Sequence, residues 1–157
     1  MILKLCGCLF VLTSGTFGAF SLVKYQKTKL RVLDAWIDLI FFIRTQIDCY
    51  LMPIGEILQS AEPSLLSICA CGKKAVSLST LLQGAQRWLE PEAHRLLDSF
   101  IREIGSSYRE EQVKRCDYYT ERLSHVREKQ MEALPSKTRG SAVLCICASL
   151  GVAILLW

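Results

Sequence analysis

Two apolar segments bracket every acidic residue of the chain. Leu5 to Val23 is 19 residues without a charge, Ser141 to Trp157 is 17, and all 15 acids lie between Asp34 and Glu132. At about 1.5 Å per residue, helices of these lengths reach roughly 28 and 25 Å, close to the hydrocarbon thickness a spanning helix has to cover. The sequence therefore predicts an N-terminal anchor over 1–23, a soluble part over 24–140 and a C-terminal span over 141–157. Removal of the first segment as a secretory signal requires a small-residue cleavage site, and Gly18-Ala19-Phe20-Ser21 lacks the A-x-A pattern. Cys8 stands too early for a lipoprotein box. For the shorter C-terminal segment a buried core helix is the alternative reading.

Basic residues gather on the cytoplasmic side of spans. Lys24, Lys27, Lys29 and Arg31 follow the first segment, Lys137 and Arg139 precede the second, and only Lys4 lies on an outer end. The middle is thus expected in the cytoplasm, with both termini outside and the flanking cations meeting anionic membrane lipids. Between Val32 and Ser136 there are 12 Lys or Arg against 15 Asp or Glu, a net of −3, so the overall +4 belongs to the membrane flanks. A nucleic-acid-binding role, which needs a basic face on the folded domain, loses its support.

The middle reads as all-α. Leu30, Leu33, Ile37, Ile40, Phe41, Ile47 and Leu51 recur mostly every three or four residues, with Arg31, Asp34, Asp38, Arg44 and Asp48 on the other face. No turn signal separates this stripe from the first apolar segment, so one long helix is expected to run from it into the domain and to end or kink at Pro53. A short helix follows from Pro53 or Ile54 to Ser60, and another over Leu65–Cys71 stops at Gly72-Lys73-Lys74. Leu78, Leu81, Leu82, Ala85, Trp88 and Leu89 form the next stripe, closed by Glu90-Pro91. Ala93, Leu96, Leu97, Phe100, Ile101 and Ile104 give the cleanest pattern, after which Gly105-Ser106-Ser107 breaks the chain and is placed to cap the next helix. That last soluble helix spans Tyr108 to Leu134, with Val113, Cys116, Tyr119, Leu123 and Val126 inward and Pro135 at its end. The expected architecture is an antiparallel bundle of five or six helices between two membrane helices.

Chemistry-bearing motifs are scarce. Cys6, Cys8, Cys145 and Cys147 lie in the apolar segments, and Cys49, Cys69, Cys71 and Cys116 read as small buried hydrophobes in a reducing compartment. Cys69-Ala70-Cys71 has no second pair to complete a metal site. Gly72-Lys73-Lys74 touches the phosphate-loop pattern, but Ser67 replaces its first glycine and Lys74 its Ser or Thr. His94 and His125 have no nucleophile context and read as helix-surface residues, and Glu110-Glu111 favour the dipole of the helix they begin. No catalytic residue, metal or cofactor is expected. The apolar segments carry small residues at helical spacing: Gly15 and Ala19 in the first, Ser141, Cys145, Ser149 and Ala153 in the second. Such stripes let helix backbones approach closely. Membrane-helix composition alone also produces them, and both readings stand.

End to end, the order and spacing of several short motifs resemble the stage III sporulation protein AB family of endospore-forming bacteria. They are the N-terminal anchor, Gln46-Ile47, then Pro53-Ile54-Gly55-Glu56, then Ile104-Gly105, Arg109-Glu110, Gln112 and Lys114, a long charged helix and a terminal span. Tyr108 departs from the acidic residue usual there, and Gln46 from a glutamate. Tyr108 leaves Ser106 or Ser107 as the better cap for the last soluble helix. The resemblance implies a fold like the cytoplasmic domains of type II secretion F proteins and a multi-pass place in the mother-cell membrane around the forespore. It also implies a non-enzymatic platform role in the channel complex, with the secretion-type ATPase, stage III sporulation protein AA, and other complex members as partners, and a homo-oligomer as one possible assembly. Glu56, Arg109, Glu110, Gln112 and Lys114 are the candidate partner contacts, with Pro53 and Gly105 as backbone devices. A platform fragment of a pilus or type II secretion system and an unrelated membrane-tethered adaptor are the alternatives. A membrane enzyme has no site in this sequence to support it.

Overall fold

Proline punctuates the helices that the apolar periodicity proposes. The computed structural model describes residues 2–50, 53–70, 77–106 and 108–156; for 2–19, Leu22 and most of 135–156 it describes the backbone alone. All its elements are helices: α1 (Ile2–Tyr50), α2 (Ile54–Ser60), α3 (Pro63–Cys69), α4 (Leu78–Ala85), α5 (Pro91–Glu103) and α6 (Arg109–Leu156). The chain divides into two compact units, one of 1–28 with 130–157 and one of 29–129.

α1 is the expected long helix, stopped before Pro53. That proline is the N-cap of α2, in extended geometry, and its carbonyl accepts from the amides of Glu56 and Ile57 at 3.0 and 3.1 Å. Pro63 and Pro91 open α3 and α5, where a missing amide proton costs no helical bond. α3 begins earlier than the Leu65–Cys71 run and ends at Cys69; Cys71 to Lys74 lie outside the described residues. Ser77 caps α4, its hydroxyl accepting from the Thr80 amide at 3.3 Å.

Two expectations about the helix ends are corrected. The last helix does not end at Pro135, since α6 is continuous to Leu156. Proline removes one backbone bond and crowds the carbonyl four residues back, a cost of roughly 3 kcal/mol, but the residues after it are free to resume helical bonding. Ser106 does not cap α6 either. Its hydroxyl donates backward to the Glu103 carbonyl at 2.9 Å and so satisfies the end of α5. Ser107 lies outside the described residues.

The core of the 29–129 unit is buried apolar surface from α1 to α6, with Trp36, Leu39, Ile40, Ile43, Ile57, Leu97, Phe100, Cys116 and Leu123 sealed from solvent. The α1 stripe is rotated from the expected one. Leu33, Ile40 and Ile47 are buried, but Ile37 is only half-buried and Phe41 is 61% exposed, while Trp36, Leu39 and Ile43 fill the interior. Cys69 and Cys116 are the buried hydrophobes expected of them; Cys49 instead lies on the surface. α5 and α6 meet through Phe100 and Tyr119, edge to face with ring centres 5.5 Å apart. α3 and α4 approach so closely that a Cβ on Gly84 would stand 2.5 Å from the Ala70 carbonyl oxygen.

Among the described residues no helix is long and apolar enough to cross a membrane. Most side chains of the apolar segments lie outside the described residues, among them those of Ala19, Ser141, Cys145, Ser149 and Ala153, as do the surroundings of Gly15 and the side chains of Lys137 and Arg139. Lys24, Lys27 and Arg31 are exposed and Lys29 is half-buried.

Candidate partner interface

Within the 29–129 unit, α1 and α6 are joined by three arginine–aspartate pairs whose positions rise on one helix as they fall on the other, as antiparallel packing requires. Arg127 Nε donates to Asp34, Arg44 Nε to Asp117 Oδ1 at 2.5 Å with its Nη2 to Oδ2 at 3.3 Å, and Arg109 Nη2 to Asp48 Oδ1 at 2.8 Å. Arg109 also donates to the Asp48 carbonyl, tying the first residue of α6 to the last turns of α1. The fork on Asp117, by hydrogen bond first and charge attraction second, raises the Arg44 pKa above its ordinary value. These pairs are half-open to solvent and set register more than they stabilise. Sequence reading placed Asp34, Arg44 and Asp48 on an outer face without their partners, because nothing in one helix announces which residues of another it will meet.

The residues that carry the family resemblance come together at one end of this unit. A Cβ on Gly105 would stand 2.9 Å from Ile54 Cδ1, and Gly105 takes φ +89, a left-handed geometry that glycine adopts freely. Pro53-Ile54 and Ile104-Gly105 thus meet in space, Gly105 at positive φ and Pro53 extended ahead of α2. Beside them Arg109, Glu110, Val113 and Lys114 of α6 line, with Asp48, an open groove of about 350 Å³. Glu110 and Lys114 are exposed along it. Gln112 is half-buried and its amide donates to the Tyr108 carbonyl at 3.0 Å. Glu56 is exposed on the first turn of α2 and is not among the groove residues. Four of the five candidates therefore share the first turns of α6, and Glu56 lies apart from the groove.

Behind the groove is a cluster that sequence reading missed. Arg115 donates to the Glu103 carbonyl and to Glu111, both at 2.7 Å, closing the end of α5 against α6. Burial, and then a hydrogen bond with Glu103, pushes Tyr119 up to about 12. Burial, reinforced by the Asp117 charge, pushes the Cys116 thiol up to about 11. Both groups are neutral when protonated, and the fold holds their protons more tightly than the unfolded chain does. Their contribution is complete below the ordinary pKa and lost as pH rises, from about 9 to 11 for Cys116 and from about 10 to 12 for Tyr119. Denaturant midpoints of the full chain in detergent should therefore fall across this alkaline window. Cys116→Ala should flatten the lower part of that fall and Tyr119→Phe the upper part; unchanged slopes in both variants would refute the assignment.

Among the described residues no group of three or more His, Cys, Asp and Glu is placed to hold a metal ion. His125 is exposed on α6 and His94 is half-buried on α5. Fold and surface together define an all-helical protein in which arginine–aspartate pairs join α1 to α6. A family model described as stage III sporulation protein AB matches residues 75–157, more than half of the chain, and the chain belongs to that sporulation family. The matched stretch contains Gly105, Arg109, Glu110, Gln112 and Lys114, but not Pro53 or Glu56. No curated protein and no solved structure matches the chain.

Proposed function

We propose that this protein is a non-enzymatic platform in the membrane that the mother cell wraps around the forespore, coupling a cytoplasmic secretion-type ATPase to the channel complex between the two cells. Membership of the stage III sporulation protein AB family is the observation that carries this reading. In it, 1–23 and 141–157 are the two spans, 24–140 is the cytoplasmic part, and the exposed Lys24, Lys27 and Arg31 meet anionic headgroups. The gathering of 1–28 and 130–157 into one compact unit supports a pair of spans that belong together, as small-residue stripes would favour. The groove of Arg109, Glu110 and Lys114 is the candidate ATPase contact.

Pull-down of the detergent-solubilised chain with the sporulation ATPase, stage III sporulation protein AA, tests the coupling. The ATPase should co-purify, and Arg109→Glu with Lys114→Glu should lower its recovery about tenfold, as expected when like charges face across an interface. Absence of the ATPase, where other members of the complex are recovered, would sink the coupling.

A further inference from the structure

The opposite end of the α1–α6 seam carries a second surface. Asp34, Ile37 and Asp38 of α1 and Ser124 and Arg127 of α6 line an open groove of about 430 Å³, and Phe41, one turn further along α1, is 61% exposed. Glu121 and Glu128, three residues before and four after Ser124, share its side of α6 and are exposed. Arg127 is engaged by Asp34 and Arg44 by Asp117. Asp38, Glu121 and Glu128 have no ion pair among the described residues. The result is an apolar strip, Ile37 and Phe41, edged by three uncompensated carboxylates.

From this pattern we infer that the face docks a basic amphipathic helix of a partner protein, its apolar side chain on Phe41 and Ile37 and its Lys or Arg residues on Asp38, Glu121 and Glu128. Charge complementarity selects the occupant. An anionic lipid headgroup would be repelled by the three carboxylates, and a second copy using the same face would set them against one another. A cationic helix satisfies them while covering a large aromatic side chain that the fold leaves in water. The inference rests on the platform reading only in taking a protein as the partner. It names a surface distinct from the groove at Arg109.

The test places a photoactivatable phenylalanine analogue at position 41 of the full chain, irradiates sporulating cells and identifies the adducts by peptide mass spectrometry. The expected adduct joins position 41 to a Lys- or Arg-rich segment of another protein. Triple reversal, Asp38→Lys, Glu121→Lys and Glu128→Lys, should cut its yield about tenfold, and the milder Asn and Gln replacements about threefold. Arg87→Glu, an exposed charge that lines neither groove, should leave the yield unchanged. Circular dichroism of each variant separates loss of docking from loss of fold. Adducts only with lipid, with a second copy or with an uncharged segment would overturn the proposal, as would no adduct or a yield indifferent to charge. A basic segment of any protein would uphold this surface, whether or not the ATPase is recovered by pull-down. ATPase recovered by pull-down with no adduct at position 41 would uphold the coupling and overturn this surface.

Discussion

Replacing Trp36 by alanine is expected to cost the 29–129 unit about 3–5 kcal/mol, the usual range for emptying a core site of a large aromatic side chain. Trp36 is 0% exposed and is the largest of the sealed side chains. Its indole nitrogen has no hydrogen-bond partner among the described residues, so the loss would come from the cavity and not from a broken bond. That distinction yields a second expectation. Trp36→Phe removes an unsatisfied buried donor, whose burial costs about 1–3 kcal/mol, and offsets much of the volume it gives up, so its net effect should be within about 1 kcal/mol of zero. Denaturant midpoints of the two variants in detergent measure both. If Trp36→Phe were as damaging as Trp36→Ala, the indole nitrogen would have to be bonded.

Gly84 is the second site of large effect, for a different reason. A Cβ there would stand 2.5 Å from the Ala70 carbonyl oxygen and 3.2 Å from its carbon, and backbone cannot swing aside as a flexible side chain does. Gly84→Ala gains about 1 kcal/mol of helix propensity in α4, which partly hides the clash. Gly84→Val adds bulk and loses much of that gain, and overpacking of this kind costs about 3 kcal/mol. The expected order of stability is therefore wild type, then alanine, then valine. A valine variant as stable as wild type would mean that α3 and α4 do not pack this closely.

Local rules made part of this fold legible. Pro53, Pro63 and Pro91 mark where helices begin, because a missing amide proton and a fixed φ act within one turn. The α5 stripe was readable because its apolar residues form a single face: Ala93, Leu97, Phe100 and Ile104 are all buried. α1 was harder. Between Leu30 and Leu51 it carries apolar residues around most of its circumference, so the Ile37–Phe41 stripe and the Trp36–Leu39–Ile43 stripe fit the same period, and only packing decides between them. The stripe left over is the one now exposed at Phe41. Pro135 misled in the opposite way, since a residue that disfavours a helix does not forbid one. Gly84, the Arg–Asp seam and the Glu103–Arg115–Tyr119 cluster depend on residues distant in sequence, and no local pattern encodes them. At the candidate interface the Ile-Gly and Arg-Glu motifs were recognisable, but not their convergence with Pro53-Ile54 and Asp48.

The proposed topology is a helical bundle facing the cytoplasm and tethered at both ends. Cys49 is a natural reporter for it, being an exposed thiol of the 29–129 unit. With the other seven cysteines replaced by alanine and the chain expressed in vegetative cells, a membrane-impermeant maleimide should fail to label Cys49 in the intact cells and should label it once the membrane is permeabilised. Labelling of Cys49 in those intact cells would place the bundle on the outer side and overturn this topology.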